Sequence, residues 1–342
     1  MASVAFGLFD WVDRGEASLA QLYEERLSLV EAADAAGFVG YHLAEHHATP
    51  LGMTPSPSVF LAAVAQRTRR IRLGPLVYLL PLYSPLRLIG EICMLDQLSG
   101  GRLEVGVGRG VSPYEVGYHG LDPARTRAMF HEALAVIVAG MTSERLTHKG
   151  QFYRYDSVPM ELEPFQKPYP PLWYATSNLE SVEWAASQGM NLAGLGPAET
   201  YRKFVDAYRA AWPRHRHDAG RLNAHVATPR IAINRQVVMA ETDAEAEEIV
   251  RAGHPRWAES FLKLWTEHGD TTYQQRVNLD AALSSETILC GSPARVRGQV
   301  ARLIETTGVD YVICAFAWGN LTFDQSFRSL RLFTDEVMPS FS

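Results

Sequence analysis

Strand-like and helix-like segments alternate along this sequence so regularly that few folds remain open to it. Residues 4–9 form an apolar strand candidate. Ser18 then caps a helix with Leu19, Leu22, Tyr23, Leu27 and Val30 at helical spacing, and Gly37 stops it. Residues 39–43 resume as a strand, 58–69 read as a second helix and 71–78 as a third strand. Ser84-Pro85 opens a helix ending at Gly100-Gly101, strand 103–107 follows, and Asp122-Pro123 opens a helix that closes at Gly140. Residues 149–171 break the rhythm with Pro159, Pro164, Pro168, Pro170 and Pro171 among Phe152, Tyr153, Tyr155 and Phe165, and are expected to be an insertion between units. The alternation then returns: strand 172–175, helix 178–188 stopped by Gly189, strand 190–195, helix 201–212, strand 230–240, and a helix begun by the capping-box pair Thr242 and Glu245. Ser292-Pro293 starts a helix ending at Gly308, 309–315 is the eighth strand and 323–337 the last helix. Eight strand–helix units predict an α/β fold, a TIM (β/α)8 barrel. Residues 253–291, with Trp257, Phe261, Leu264 and Trp265, fit no simple unit, and a stretch of that length is expected to be a lid.

With 342 residues, 47% of them apolar and 20% charged, the chain can bury a large core. Length alone allows two domains, but α/β barrels often run this long as one, so residues 1–342 are expected to form a single domain. A net charge of −6 and a pI near 6.0 disfavour nucleic acid or an anionic membrane as partner. Cys93, Cys290 and Cys314 form no close pair and fit a reducing cytoplasm as core fillers. The apolar start, 1–11, lacks a basic region and meets Asp10 and Asp13 at once, which argues against a signal peptide, and no segment is long enough to span a bilayer.

In a parallel barrel the site forms at the C-terminal ends of the strands. That rule gathers scattered residues: Glu45-His46-His47 after strand two, Leu76-Val77-Tyr78 at strand three, Gly108-Arg109-Gly110 at strand four and Thr176-Ser177 at strand five. The run Gly106-Val107-Gly108-Arg109-Gly110 permits close backbone approach and offers a guanidinium fork suited to phosphate, although an ordinary turn reads the same way. It is not a dinucleotide fingerprint, because Val111 stands where the third glycine belongs. Ser177 and Ser181 lie at the start of the helix after strand five, a natural anion site opposite Arg109. Arg127, in the first turn of the preceding helix, is either a second cation for that anion or a solvated side chain. His46, at a strand mouth, is either an acid/base group or a buried structural histidine. His42-Leu43-Ala44-Glu45-His46 matches the inverted zinc-protease pattern, but Gly37, Gly40 and Pro50 place it on a strand end and not a helix, so no metal is expected.

Taken in order, several motifs resemble the bacterial luciferase-like flavin-dependent monooxygenase family. They are Leu43-Ala44-Glu45-His46-His47, the strand end 74–81, Leu95-Asp96-Gln97-Leu98-Ser99-Gly100-Gly101-Arg102, the glycine run to Gly110, Arg127-Ala128, Glu183-Trp184-Ala185-Ala186 and Gly291-Ser292-Pro293. Over 95–110 the sequence is similar to the family's luciferase α subunit. The resemblance implies a TIM-barrel enzyme in which Arg109, Ser177, Ser181 and Arg127 bind the FMN phosphate. It also implies a non-proline cis peptide at Leu76–Val77 beneath the flavin ring, and His46 in proton transfers around a flavin C4a-hydroperoxide and the substrate. Gly108 and Thr176 stand where the luciferase α subunit has a cysteine and an acidic residue, so light emission is not implied. Tyr78, Leu195 and Trp318 are expected to line the substrate pocket from their strand-end positions, and the segment from Gly253 matches the family's mobile loop.

The expected activity is therefore a two-component FMNH2-dependent monooxygenase, with reduced FMN supplied by a separate flavin reductase and O2 used to oxygenate a small organic substrate. Hydride transfer with F420 and a noncatalytic flavin-binding subunit are the alternatives. A homodimer through the early helices is expected, with Leu61, Val64, Leu88 and Ile92 either forming its face or packing on their own barrel.

Overall fold

Parallel strands set the frame. In the computed structural model, which describes residues 4–341, the strands are β1 (Ala5–Asp10), β2 (Gly40–Leu43), β3 (Arg72–Pro75), β4 (Tyr78–Leu79), β5 (Val105–Gly108), β6 (Arg145–Lys149), β7 (Arg154–Pro159), β8 (Leu172–Ala175), β9 (Asn191–Gly194), β10 (Ile231–Met239), β11 (Ile288–Gly291) and β12 (Tyr311–Ala315). The helices are α1 (Leu19–Ala36), α2 (Pro57–Arg67), α3 (Pro85–Ser99), α4 (Pro113–Tyr118), α5 (Thr126–Thr142), α6 (Leu179–Ser187), α7 (Ala198–His215), α8 (Asp243–Glu267), α9 (Leu279–Ser284), α10 (Pro293–Thr307) and α11 (Phe323–Glu336). Residues 1–3 of the apolar N-terminal stretch, and residue 342, lie outside the described residues.

The hydrogen-bonded order is β3-β2-β1-β12-β10-β9-β8-β5-β4. Its two end members, β3 and β4, are consecutive in the chain and joined by Leu76-Val77, whose peptide bond is cis as the resemblance implies. A bridge from Leu73 to Leu103 links β3 to the approach of β5. The path thus returns on itself as a barrel in which β3 and β4 share one of eight positions. This is the expected TIM-barrel architecture. β11 was not anticipated; it pairs with β10 outside the path.

Two expectations need correction. The insertion around 149–171 begins earlier, with the antiparallel hairpin β6–β7, whose loop is pinned by Glu132 accepting the amides of Gln151, Phe152 and Tyr153. The lid expected over 253–291 is mostly regular structure, because α8 runs unbroken to Glu267 with Pro255 inside it. Burial of Trp257, Leu264 and Trp265 along one helical stripe outweighs the local cost of that proline. Residues 268–278, between α8 and α9, are largely exposed.

Two layers of packing surround the strands. Outward-facing residues such as Leu8, Leu43, Leu73, Val105, Val107, Leu192 and Val312 meet the helices in one continuous core. Leu61, Val64, Leu88 and Ile92 belong to it and are fully buried, so the expected dimer face is not theirs; they pack on their own barrel. On the same helices Val59, Met94 and Leu98 are exposed. The inward-facing residues fill the barrel unevenly. Tyr311, His42, Trp173 and Glu104 crowd its lower half: Tyr311 hydroxyl meets His42 Nε2 at 2.9 Å, and Trp173 Nε1 donates to Glu104. A Cβ at Gly7 would lie 2.0 Å from that same hydroxyl. Further along the same strands, two or four residues on, the inward positions hold Ala44, Gly106, Gly108, Ala175 and Ala315, and β9 adds Ala193. The lower half of the barrel is plugged by large side chains, and small residues dominate the positions named above it.

Candidate active site

Glu45, His46 and His47 leave β2 at the upper rim, and each has a defined partner. Glu45 is buried and divides its carboxylate, with Oε1 2.8 Å from His47 Nε2 and Oε2 accepting the backbone N–H of Leu79 at 3.0 Å. It therefore ties the β2 outlet to β4. His46 is half-buried, and its Nδ1 lies 3.1 Å from Oε1 of buried Glu115 on α4. His47 packs edge-on against His119 with ring centroids 4.6 Å apart, and desolvation together with His47 lowers the His119 pKa. His42, by contrast, points into the plugged half. Burial there drives its pKa down to about 4, which keeps it neutral near pH 7. His42 and His46 thus have separate surroundings on a strand and its outlet, not one helix face as a zinc protease pattern requires.

The next rim positions are built from small residues. A Cβ at Gly106 would lie 2.3 Å from the Pro75 carbonyl oxygen, and one at Gly108 would lie 2.4 Å from Val77 Cγ2. Glycine at both positions lets the Leu76-Val77 segment lie directly on β5. Arg109 follows Gly108 and is exposed; its side chain makes no hydrogen bond or ion pair among the described residues. In the register that pairs Val107 with Tyr174, Arg109 comes level with Thr176 on the neighbouring strand outlet.

Thr176 and Asn178 shape the start of α6. Thr176 Oγ1 accepts the Asn178 N–H at 3.0 Å, and Asn178 caps the helix by accepting the Glu180 N–H at 3.0 Å. Ser177 precedes that cap and Ser181 lies in the first turn, so both serines stand at the positive end of the helix dipole. Arg127 joins them by helix packing. His131 on α5 and Trp184 on α6 are edge-on at 5.4 Å; Arg127 lies one turn before His131, and Ser181 one turn before Trp184, on helices that run the same way. The predicted group Gly108, Arg109, Arg127, Thr176, Ser177 and Ser181 is therefore brought to one arc of the rim.

The opposite arc is aromatic. Phe9, Trp11, Trp257, Phe261 and Trp318 form a chain of ring contacts with centroid separations from 4.8 to 6.4 Å. The backbone beside Trp318 is held by Asp13, whose carboxyl burial pushes up to about 6 and which accepts the N–H of the next residue, Gly319. The indole N–H groups of Trp257 and Trp318 are buried and unpartnered among the described residues. Leu195, beyond β9, stands exposed on the rim. Tyr78 does not belong to this pocket: it is fully buried outside the barrel, bonded to Ser58 at 2.7 Å and packed on Tyr83. Its place on a two-residue strand shifted the inside–outside alternation assumed for β3.

Glu115 was not foreseen. Ser112-Pro113-Tyr114-Glu115 has capping-box spacing, and Ser112 does accept the Glu115 N–H. The carboxylate turns instead to His46, which no short-range pattern reveals.

Comparison with known proteins places this geometry. The luciferase-like monooxygenase family matches residues 4–311. "Uncharacterized protein y4wF" of Sinorhizobium fredii is 39% identical over 338 residues, covering 98% of this chain and 97% of the relative. The oxygenase component of flavin-dependent trigonelline monooxygenase from Acinetobacter baylyi is 27% identical, covering 98% and 95%. Among solved structures, monooxygenase RslO1 from Streptomyces bottropensis superposes with a TM-score of 0.87 at 28% identity, covering 99% of this chain and all of that one. With the rim geometry and these likenesses together, the chain belongs to the luciferase-like monooxygenase family and is a flavin-dependent oxidoreductase.

Proposed function

We propose that this chain is the oxygenase component of a two-component monooxygenase that takes FMNH2 from a separate flavin reductase and uses O2 to oxygenate a small organic substrate. The observation that carries the reading is Arg109, a guanidinium without a partner among the described residues, level with the capped start of α6 and beside glycines that let the Leu76–Val77 segment come close. These residues fit FMN. Arg109, Arg127, Ser177 and Ser181 would hold its phosphate, while Leu76, Val77, Gly108 and Thr176 would lie along the rest of it. Reduced FMN, when bound, supplies the electrons for oxygen activation.

The protein's own part is positioning, water exclusion and proton handling. His46 is the acid/base group, exchanging a proton at Nε2 while Glu115 engages Nδ1. The aromatic arc with Trp318, and Leu195 at the rim, would receive an apolar substrate and keep water from the reacting atoms. The trigonelline relative is the oxygenase component of its enzyme, which supports a separate reductase here. We read residues 1–342 as one domain that pairs as a homodimer through exposed Val59, Met94 and Leu98. The three buried, unpaired cysteines suit the cytoplasm. Fluorescence titration with FMN and with F420 should show saturable binding of FMN alone. Rapid mixing of the FMNH2-loaded protein with O2 should then give reoxidation kinetics distinct from free FMNH2. Preference for F420 would turn the reading to hydride transfer; binding with kinetics equal to free flavin would leave a noncatalytic flavin carrier.

A further inference from the structure

The short helix α4 holds two things at once. On one side, Glu115 Oε1 lies 3.1 Å from His46 Nδ1, with the Glu115 side chain 6% exposed. On another, Tyr114 stacks flat on His268, with centroids 4.0 Å apart and planes 2° from parallel, and donates to Asp270 Oδ2 at 3.0 Å. Tyr118, four residues on, lies 3.0 Å from His268 Nε2 through its hydroxyl. Tyr114 also meets Trp265, which in turn meets Tyr273. The end of α8 and the exposed segment 268–278 are thus gripped by the residues flanking Glu115.

An ionised carboxylate only accepts hydrogen bonds, so an ionised Glu115 requires the proton of the His46–Glu115 contact to be on Nδ1. In the neutral ring the lone pair then belongs to Nε2. We propose that Glu115 is a positioning residue that fixes His46 in the Nδ1–H tautomer, and that α4 makes this orientation depend on the seating of segment 268–278 against Tyr114 and Tyr118. The proposal rests on the reading of His46 as the acid/base group. A histidine presented with Nε2 unprotonated accepts a proton at that atom and, once protonated, returns it there. Seating of 268–278 and the readiness of His46 become one event, so the proton acceptor is set only when that side of the rim is covered.

The test reads the tautomer directly, without flavin or turnover. Full-length protein labelled with 15N-histidine is observed by long-range proton–nitrogen correlation at a pH where the ring is neutral, and His46→Gln assigns the signal. Wild type should show Nδ1 protonated. Glu115→Leu should convert His46 to the Nε2–H form, whereas Glu115→Gln, whose amide oxygen still accepts, should keep Nδ1–H as the major species. Tyr114→Leu should give a mixture of the two forms. An Nε2–H signal in wild type, or Nδ1–H surviving Glu115→Leu, overturns the role of Glu115. An unchanged His46 signal in Tyr114→Leu overturns its dependence on α4. If Glu115→Leu does not fold, wild type and Tyr114→Leu still decide. FMN titration of the same samples separates the two readings: failure to bind flavin strikes the proposed function and leaves the tautomer result standing.

Discussion

Gly108 and Val77 behave as a matched pair. The space a side chain at 108 would need is already filled by Val77 Cγ2. Gly108→Ala should cost about 1–3 kcal/mol of stability through overpacking. Adding Val77→Ala should return most of that loss, a coupling that thermal or urea denaturation of the two single variants and the double would reveal. His42 makes a different residue-level prediction. Its folded-state pKa, about 4, lies below the ordinary value of 6.5, so the unfolded chain takes up the proton first as pH falls. The contribution is intact above pH 6.5 and is lost progressively towards pH 4, amounting to about 3 kcal/mol. Urea midpoints at pH 7 and pH 4.5 should therefore fall further apart for wild type than for His42→Gln.

Between β5 and α6, the proposed phosphate site depends on two elements delivered by neighbouring strands. Removing the guanidinium in Arg109→Ala should weaken FMN about tenfold to a hundredfold, the range of a lost charged hydrogen bond, while sparing riboflavin, which has no phosphate. Paired fluorescence titrations with the two flavins measure this; equal loss for both would remove Arg109 from the phosphate site. These elements were legible because Ser18, Gly37, Gly100 and Asn178 mark real helix ends and the strands are near-continuous apolar runs. α8 was not, because Gly253 and Pro255 carry local breaker signals, and only the buried stripe of Trp257, Leu264 and Trp265 overrules them. β11 was hidden for the opposite reason: Ile288-Leu289-Cys290-Gly291 is too short to be told from loop by pattern alone. Glu115 and Tyr78 depended on which way a side chain turns, a matter of contacts 69 and 20 residues apart in sequence.

At the level of the whole barrel, the two arcs of the rim divide the labour suggested by their chemistry, cationic and polar on the β5–β8 side, aromatic on the β12–β1 side. The outer wall adds one more expectation. If Val59, Met94 and Leu98 form the interface between copies, Met94→Glu should convert a dimer to a monomer in sedimentation velocity while leaving the melting of the single barrel nearly unchanged. A wild-type monomer would dispose of that assembly.

The strand path has one further consequence. Its two ends, β3 and β4, are consecutive stretches of the same chain, and the residues between them are Leu76 and Val77. The cylinder is in this sense a belt, and its buckle lies at the very place where Gly106 and Gly108 allow the backbone to come close. A flavin bound across the buckle, as proposed above, would have to leave before the belt could open there. Its affinity and the resistance of the barrel to opening are then linked quantities, and each tenfold of binding reappears as added resistance to unfolding.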